Sequence, residues 1–269
     1  MAGQKEGVII KQEGAVALVT LYRPSRGNLV DHDAAEALSN FFTAAQTDNS
    51  IRAVVITGTG KQYCTGGDVS AKPEVVGGAQ PTSPMDYRWL TLPFNRIFTS
   101  LWELDKPVVS AVNGSVAGIG WMMALLADMV VAAEGTRWTH VFTKRGMIPH
   151  AGDTYFMPRL IPFHRLTELA LLCDPVTTET LHGWGLINRL VPREQVLPTA
   201  MELATRLAAG PTRTLGLTKR LYHRSLDGTN LASMFNEETA SQSLNATTQD
   251  RIEGVKAFVE NRPPNFSGN

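Results

Sequence analysis

The chain has 269 residues, 43% of them hydrophobic, with 25 basic residues against 25 acidic ones and no formal net charge. That balance offers no basic excess for a nucleic-acid backbone, and no apolar run reaches membrane-spanning length. The length allows one large domain or two small ones with a substantial core. Cys64 and Cys173 match no metal or redox spacing and read as buried free thiols in a reducing compartment. The opening MAGQKEGVIIKQEG lacks the long apolar core of a secretory signal, so a cytoplasmic protein with no metal site is expected.

Val8–Lys11 and Ala15–Leu21 are β-rich and flank Glu13-Gly14, the pattern of a hairpin. Asp31–Ala45 has a helical pattern with an acid-rich first turn. Ala53–Thr57 is a short apolar strand, followed by turns at Gly58–Lys61 and Tyr63–Asp68. Residues 71–83 are rich in Gly and Pro and read as a mobile loop. Tyr87–Leu104 predicts a helix. Met129–Ala133 predicts a strand, and Thr136–Thr143 continues the β character. Helices are expected from Thr154, over Leu166–Leu172, Gln195–Ala209, Pro211–Asp227, Leu231–Ala246 and Asp250–Asn261, with a strand over Gly185–Val191. Strands alternate with helices and then helices dominate, which is an α/β chain with a helical C-terminal portion.

The stretch Lys106–Asp128 organises the rest. Val108–Val112 is an apolar run bounded by Pro107 and Asn113-Gly114, the pattern of a buried strand. Gly118-Ile119-Gly120 then leads into the apolar Trp121–Ala127, the pattern of a buried helix. The first amides of a helix have no partner within it, and partial positive charge collects there. Two readings stand: an anion or nascent oxyanion held at this turn, or glycines that merely permit close packing. A third glycine and a following acid are missing, so this is no dinucleotide fingerprint, and there is no GKS or GKT of a P-loop.

VVITGTGKQYCTGGDV, followed by KPVVSAVNGSVAGIGWMMALLADMVVAAEGTRW, resembles the crotonase (enoyl-CoA hydratase/isomerase) superfamily. So do GMIPHAGDTYFMPRLI, GLINRLVP, GPTRTLGLTKRL and EGVKAFVENRPPNF, in order, from about residue 8 to the end. FTKRGMIPHAGDTYFMPRL looks most like the phenylacetate-pathway isomerase branch. The resemblance implies a spiral of ββα units over residues 1–200 and a helical trimerisation region over 201–269, assembled as a homotrimer or hexamer. It implies an acyl-CoA thioester as substrate, coenzyme A arriving as part of it and no separate cofactor. By motif position the backbone N–H groups of Gly67 and Ile119 would hold the thioester oxygen as it becomes an enolate. Arg26 falls where a basic residue approaches the CoA phosphates. Asp68, Val69 and Ser70 fall where backbone flanks the adenine, Asp68 itself matching an acid that is usually structural. Phe258 and Arg262 fall where the chain closes over the nucleotide, although Asn261 replaces the usual lysine there.

Hydratases of the family move protons with two glutamates. Those positions are Met122 and Phe142 here, and neither side chain can carry a proton. A further family position, four residues after Gly146, holds an acid in several isomerases and is His150 here. One base beside an oxyanion hole suffices for a double-bond shift, so His150 is the candidate base. Asp153 stands where glycine is usual. It is a candidate helix N-cap and could orient His150. His140 shares a face with Phe142 in extended chain and is a reserve base. Trp121, Met122, Met123, Trp138 and Phe142 suggest a dry acyl pocket or ordinary core. The expected function is an enoyl-CoA isomerase type of enzyme. A nonstandard hydratase, a CoA-ester or C–C hydrolase, and a non-catalytic CoA-ester binder are the alternatives. No G-x-S-x-G supports a Ser-His-Asp hydrolase.

Overall fold

The computed structural model describes residues 7–68 and 84–269. β1 (Gly7–Glu13) and β2 (Val16–Tyr22) form the expected antiparallel hairpin. β2 then pairs in parallel with β3 (Ala53–Gly58), β3 with β5 (Val108–Val112), β5 with β7 (Met129–Ala133), and β7 with β10 (Arg189–Val191). A second sheet sets the short strands β4 (Gln62–Cys64), β6 (Ser115–Ala117) and β8 (Arg137–Thr139) side by side in parallel. β9 (Val176–Thr177) closes it antiparallel on β8. From β3 on, three successive passes of the chain each lay one strand in each sheet and then a helix. α2 (Pro84–Glu103) follows β4, α3 (Gly120–Leu125) follows β6, and α4 (Asp153–Leu160) comes after β8. That is a spiral of ββα units.

Period-two alternation along the first sheet feeds two cores. Ala17, Val19, Leu21, Val54, Ile56, Val108 and Val112 face one core, shared with α3 and with Ala35, Leu38 and Phe42 of α1 (His32–Thr47). Val16, Leu18, Ala53, Val55, Val109 and Ala111 face the other, covered by α7 (Val196–Ala208). α7 turns Val196, Ala200, Ala204 and Ala208 to the sheet at a spacing of four, and these small side chains let the helix lie close. Asp31 caps α1 by accepting the Ala34 N–H at 2.9 Å, a contact worth about 1 kcal/mol.

Several elements are shorter than the patterning predicts. β4 overlaps the turn expected at Tyr63–Asp68 and β6 falls between Asn113-Gly114 and Gly118, where no strand is expected, because three residues carry too little alternation to reveal a period. α3 ends at Leu125, where the Leu126 N–H closes on the Met122 carbonyl. Asp128 then accepts the Val108 N–H at 2.7 Å. The β run over Thr136–Thr143 keeps only β8, and Thr143–Arg145 is a 3-10 turn. The strand expected from Gly185 begins at Arg189, because Gly185 takes φ +83° and the Leu186 N–H bonds back to Leu181 in α6 (Thr178–Gly183).

α5 (Phe163–Leu172) follows α4. The chain ends in α8 (Thr212–Ser225), α9 (Leu231–Ala246) and α10 (Gln249–Val259). α8 is pinned to the first sheet by Lys219, whose Nζ donates to the Asp128 carboxylate at 2.8 Å and to the Lys106 carbonyl at 3.3 Å. No described helix is long and apolar enough to cross a membrane.

Candidate active site

β4 and β6 are parallel neighbours, so the turns that leave their C-terminal ends lie side by side. A Cβ built on Gly118 would lie 3.5 Å from the Gly66 Cα, and one built on Gly67 would lie 3.7 Å from the Ile119 Cδ1. Gly118 has φ +52°, which a side chain rarely tolerates. At Gly120 a Cβ would stand 2.4 Å from the Cys64 carbonyl oxygen, so the helix start and the end of β4 could not meet.

This arrangement leaves two amides unspent. Gly67 bridges Val30 in parallel fashion. The Val30 N–H goes to the Gly66 carbonyl, the Asp68 N–H goes to the Val30 carbonyl, and the Gly67 N–H is turned the other way. Ile119 caps α3, where amides have no partner within the helix. Neither amide donates to a backbone carbonyl among the described residues. Phe94 of α2 stands over the Gly67 turn, its Cε1 3.5 Å from the built Cβ. No local pattern in the sequence marks Phe94; only the packing of α2 brings it there.

A third wall follows β8. His140, Phe142 and His150 form a row of rings, with Phe142 edge-on to His140 at 5.1 Å and to His150 at 4.8 Å. His150 is half-buried, and its Nδ1 lies 3.3 Å from the Ile148 carbonyl. The next residue, Ala151, is buried with φ +64°, a strained conformation for a residue with a Cβ. Gly152, with φ +83°, then starts α4 as its N-cap.

Asp153 departs from both expectations for it. It is the first residue of α4 rather than its cap, and its carboxylate does not meet His150. It bonds instead to Nε2 of His140 at 2.8 Å, and both side chains are buried. The reason is the direction of the chain: β8 delivers His140 to the floor of the spiral just where α4 begins. The Asp153 N–H also reaches back to the His150 carbonyl at 3.3 Å, so one residue ties the His150 loop to the end of β8.

The other candidates separate. Trp121 and Trp138 meet edge-on, 5.0 Å between centroids, in the main core. Met122 is also buried in that core. Arg26 is held by Asp68 at 3.0 Å, and Asp68 also accepts from Arg23 at 3.1 Å, so the acid joins two arginines at the mouth of the Gly67 turn. Arg262 is bound by Glu253 and Glu260, and its hydrogen bonds hold the Glu253 carboxyl at about 2. Phe258 is exposed on α10. Val69, Ser70 and residues 71–83 lie outside the described residues. Cys64 sits beside the site, but burial pushes its thiol up to about 11, so it stays protonated at neutral pH and serves as packing.

The family model for enoyl-CoA hydratase/isomerase matches residues 11–269. The chain belongs to that family, the crotonase superfamily whose spiral and helical C-terminal region it displays. It is 34% identical to the 1,2-epoxyphenylacetyl-CoA isomerase of Escherichia coli K12, covering 98% of this chain and 99% of the relative. It is 29% identical to the 2,3-dehydroadipyl-CoA hydratase of the same organism, covering 97% and 98%. Among solved structures it superposes with a TM-score of 0.88 on enoyl-CoA hydratases from Bacillus anthracis, 25% identical over 98% of this chain and 100% of that one, and from Polaromonas sp. JS666, 26% identical over 97% and 99%. Isomerases and hydratases thus both stand among its relatives.

Proposed function

We infer that this protein binds an acyl-CoA thioester, holds its carbonyl oxygen through the Gly67 and Ile119 amides, and shifts a double bond with His150 as the base. The observation that carries the reading is the pair of unspent amides on turns held together by β4 and β6. Two preorganised N–H donors stabilise charge that develops on a thioester oxygen when a neighbouring carbon gives up a proton. His150 takes that proton, the electron pair moves through the carbon framework onto the oxygen, and collapse of the enolate returns the proton at another carbon. No net water or electron is needed. Met122 and Phe142, where hydratases carry glutamates, favour this reaction over addition of water. The name of the isomerase relative supports the same choice.

A water-adding or CoA-ester or C–C hydrolysing enzyme is the second reading, favoured by the buried His140–Asp153 pair and by the hydratase relative. A non-catalytic CoA-ester binder is the third, favoured by Met122 and Phe142 alone. Coenzyme A enters as part of the substrate. Assembly into a trimer or a pair of trimers through residues 201–269 belongs to the same proposal. It is supported by a groove of about 1160 Å³ between α8 and α9, lined by Leu217, Leu221, Tyr222, Leu231 and Met234 among others.

Mass spectrometry with a panel of enoyl-CoA and 3-oxoacyl-CoA esters in heavy water tests the function. Deuterium at the α or γ carbon with no other mass change is the expected result. Gain of one water would establish hydration, and release of CoA would establish hydrolysis. Binding without any change would favour the binder.

A further inference from the structure

Three polar atoms that no described residue hydrogen-bonds lie in one buried cluster: Nε1 of Trp121, Nε1 of Trp138 and Nδ1 of His140. All three residues are 0% exposed. Their rings are contiguous, Trp121 standing edge-on to Trp138 at 5.0 Å and to His140 at 6.3 Å. The cluster lies against the turn of Ile119. Trp121 is the second residue of α3, and Thr139, between Trp138 and His140, accepts the Gly118 N–H at 3.4 Å. A buried donor or acceptor left unpaired costs about 1–3 kcal/mol. Phenylalanine would supply ring bulk at all three positions without that cost, so bulk alone does not account for two indoles and an imidazole.

Asp153 sets the roles. An ionised carboxylate only accepts, so the 2.8 Å contact puts a proton on His140 Nε2 and, in the neutral ring, leaves Nδ1 as an acceptor. The two indoles only donate. One kind of atom answers all three: an oxygen that carries a hydrogen. It accepts both indole N–H groups on its lone pairs and donates its O–H to Nδ1. A carbonyl or ether oxygen would leave Nδ1 unpaired.

We propose that Trp121, Trp138 and His140 enclose a subsite for one hydroxyl oxygen beside the Ile119 turn. Solvent supplies that oxygen as a water in the free protein, and a hydroxyl-bearing acyl thioester supplies it from its chain. The acyl part rests on the acyl-CoA reading above, whereas the oxygen site itself does not.

Crystal structures of the full-length protein, alone and with butyryl-CoA or 3-hydroxybutyryl-CoA, test the assignment. The expected result is an ordered oxygen about 2.7–3.2 Å from His140 Nδ1 and from the indole nitrogens. Replacement of that water by the hydroxyl of the second ester makes the acyl chain a source, and retention of the water with both esters makes solvent the source. Absence of any oxygen there in all three structures overturns the subsite. Trp121→Phe gives a second measurement, since it keeps a ring and removes one donor: the oxygen should move or lose occupancy, and an unmoved oxygen overturns the three-way assignment. If calorimetry finds that neither ester binds, the acyl-CoA reading fails, and the free-protein structure alone decides the oxygen site.

Discussion

At Ile119 the backbone has φ −62°, the value that a proline ring imposes. Ile119→Pro therefore removes the N–H while matching the backbone at that residue. Turnover should fall about 10²- to 10³-fold with CoA-ester binding retained, read by deuterium exchange and calorimetry. Full activity in a folded variant would place the oxyanion elsewhere. For His150→Ala, ester binding should persist while the rate drops about 10²- to 10⁴-fold; an unchanged rate would assign the proton transfer to another group. Asp153→Ala strands the His140 Nε2–H in the interior. It should cost about 1–3 kcal/mol in urea unfolding, and Asp153→Asn, which keeps an acceptor, should recover much of that. Equal stability of all three proteins would refute the tie. His150, His140 and Asp153 each stand out in the sequence, yet the pairing of the last two does not. Thirteen positions separate them, and only the path of the chain beyond β8 closes that gap.

Among the elements, the packing of the start of α3 against the end of β4 leaves no room for a side chain at Gly120. Gly120→Ala would press a methyl into the Cys64 carbonyl at 2.4 Å and should destabilise the fold by about 1–3 kcal/mol or more, seen as a lower melting temperature. A melting temperature at or above that of the parent would show that the turn yields. α8 gives a prediction about pH. Its His223 stacks on Trp102 of α2 at 3.4 Å, and burial first, then the Lys219 charge, lower its pKa from 6.5 to about 4. The folded protein thus resists a proton that the unfolded chain accepts. The stability from this site is complete above pH 6.5 and is lost as the pH falls from there through 4. His223→Phe keeps a flat ring on Trp102 and removes the titration, so its melting temperature should fall less than that of the parent between pH 7 and about pH 4.5. Parallel curves for the two proteins would place the pH dependence in other groups. Long elements were legible: β5, β7 and α9 begin and end where the patterning places them. The three-residue strands were not, since pairing with a neighbour, rather than period, makes them strands.

For the whole molecule, the three last helices carry a large apolar surface. Leu231, Phe235, Leu244, Ile252, Phe258 and Val259 are all exposed on α9 and α10. Apolar surface gathered on one region marks an interface, which fits the proposed trimer. Light scattering should give three or six chains per particle, and Phe235→Asp combined with Leu244→Asp should lower that number. A monomeric parent protein at micromolar concentration would remove the trimer from the proposal. In an assembly, α10 would sit near another chain, which gives the exposed Phe258 a place that the isolated chain does not.

By itself the sequence determined the α/β class and the family. The apolar runs of β2, β3, β5 and β7, the glycines at 66, 67, 118 and 120, and six motifs in order are local properties that no packing is needed to read. It also determined what is missing, because Met122 and Phe142 cannot move protons in any fold. The tertiary structure decided who meets whom. It set the Gly67 and Ile119 turns side by side through the pairing of β4 and β6 and laid Phe94 over the Gly67 turn. It took Asp153 away from His150 and gave it to His140, and it gathered two indoles and an imidazole around atoms that the rest of the chain leaves unpaired. Such contacts depend on where separate strands end in space, and residue spacing along the chain does not encode that distance.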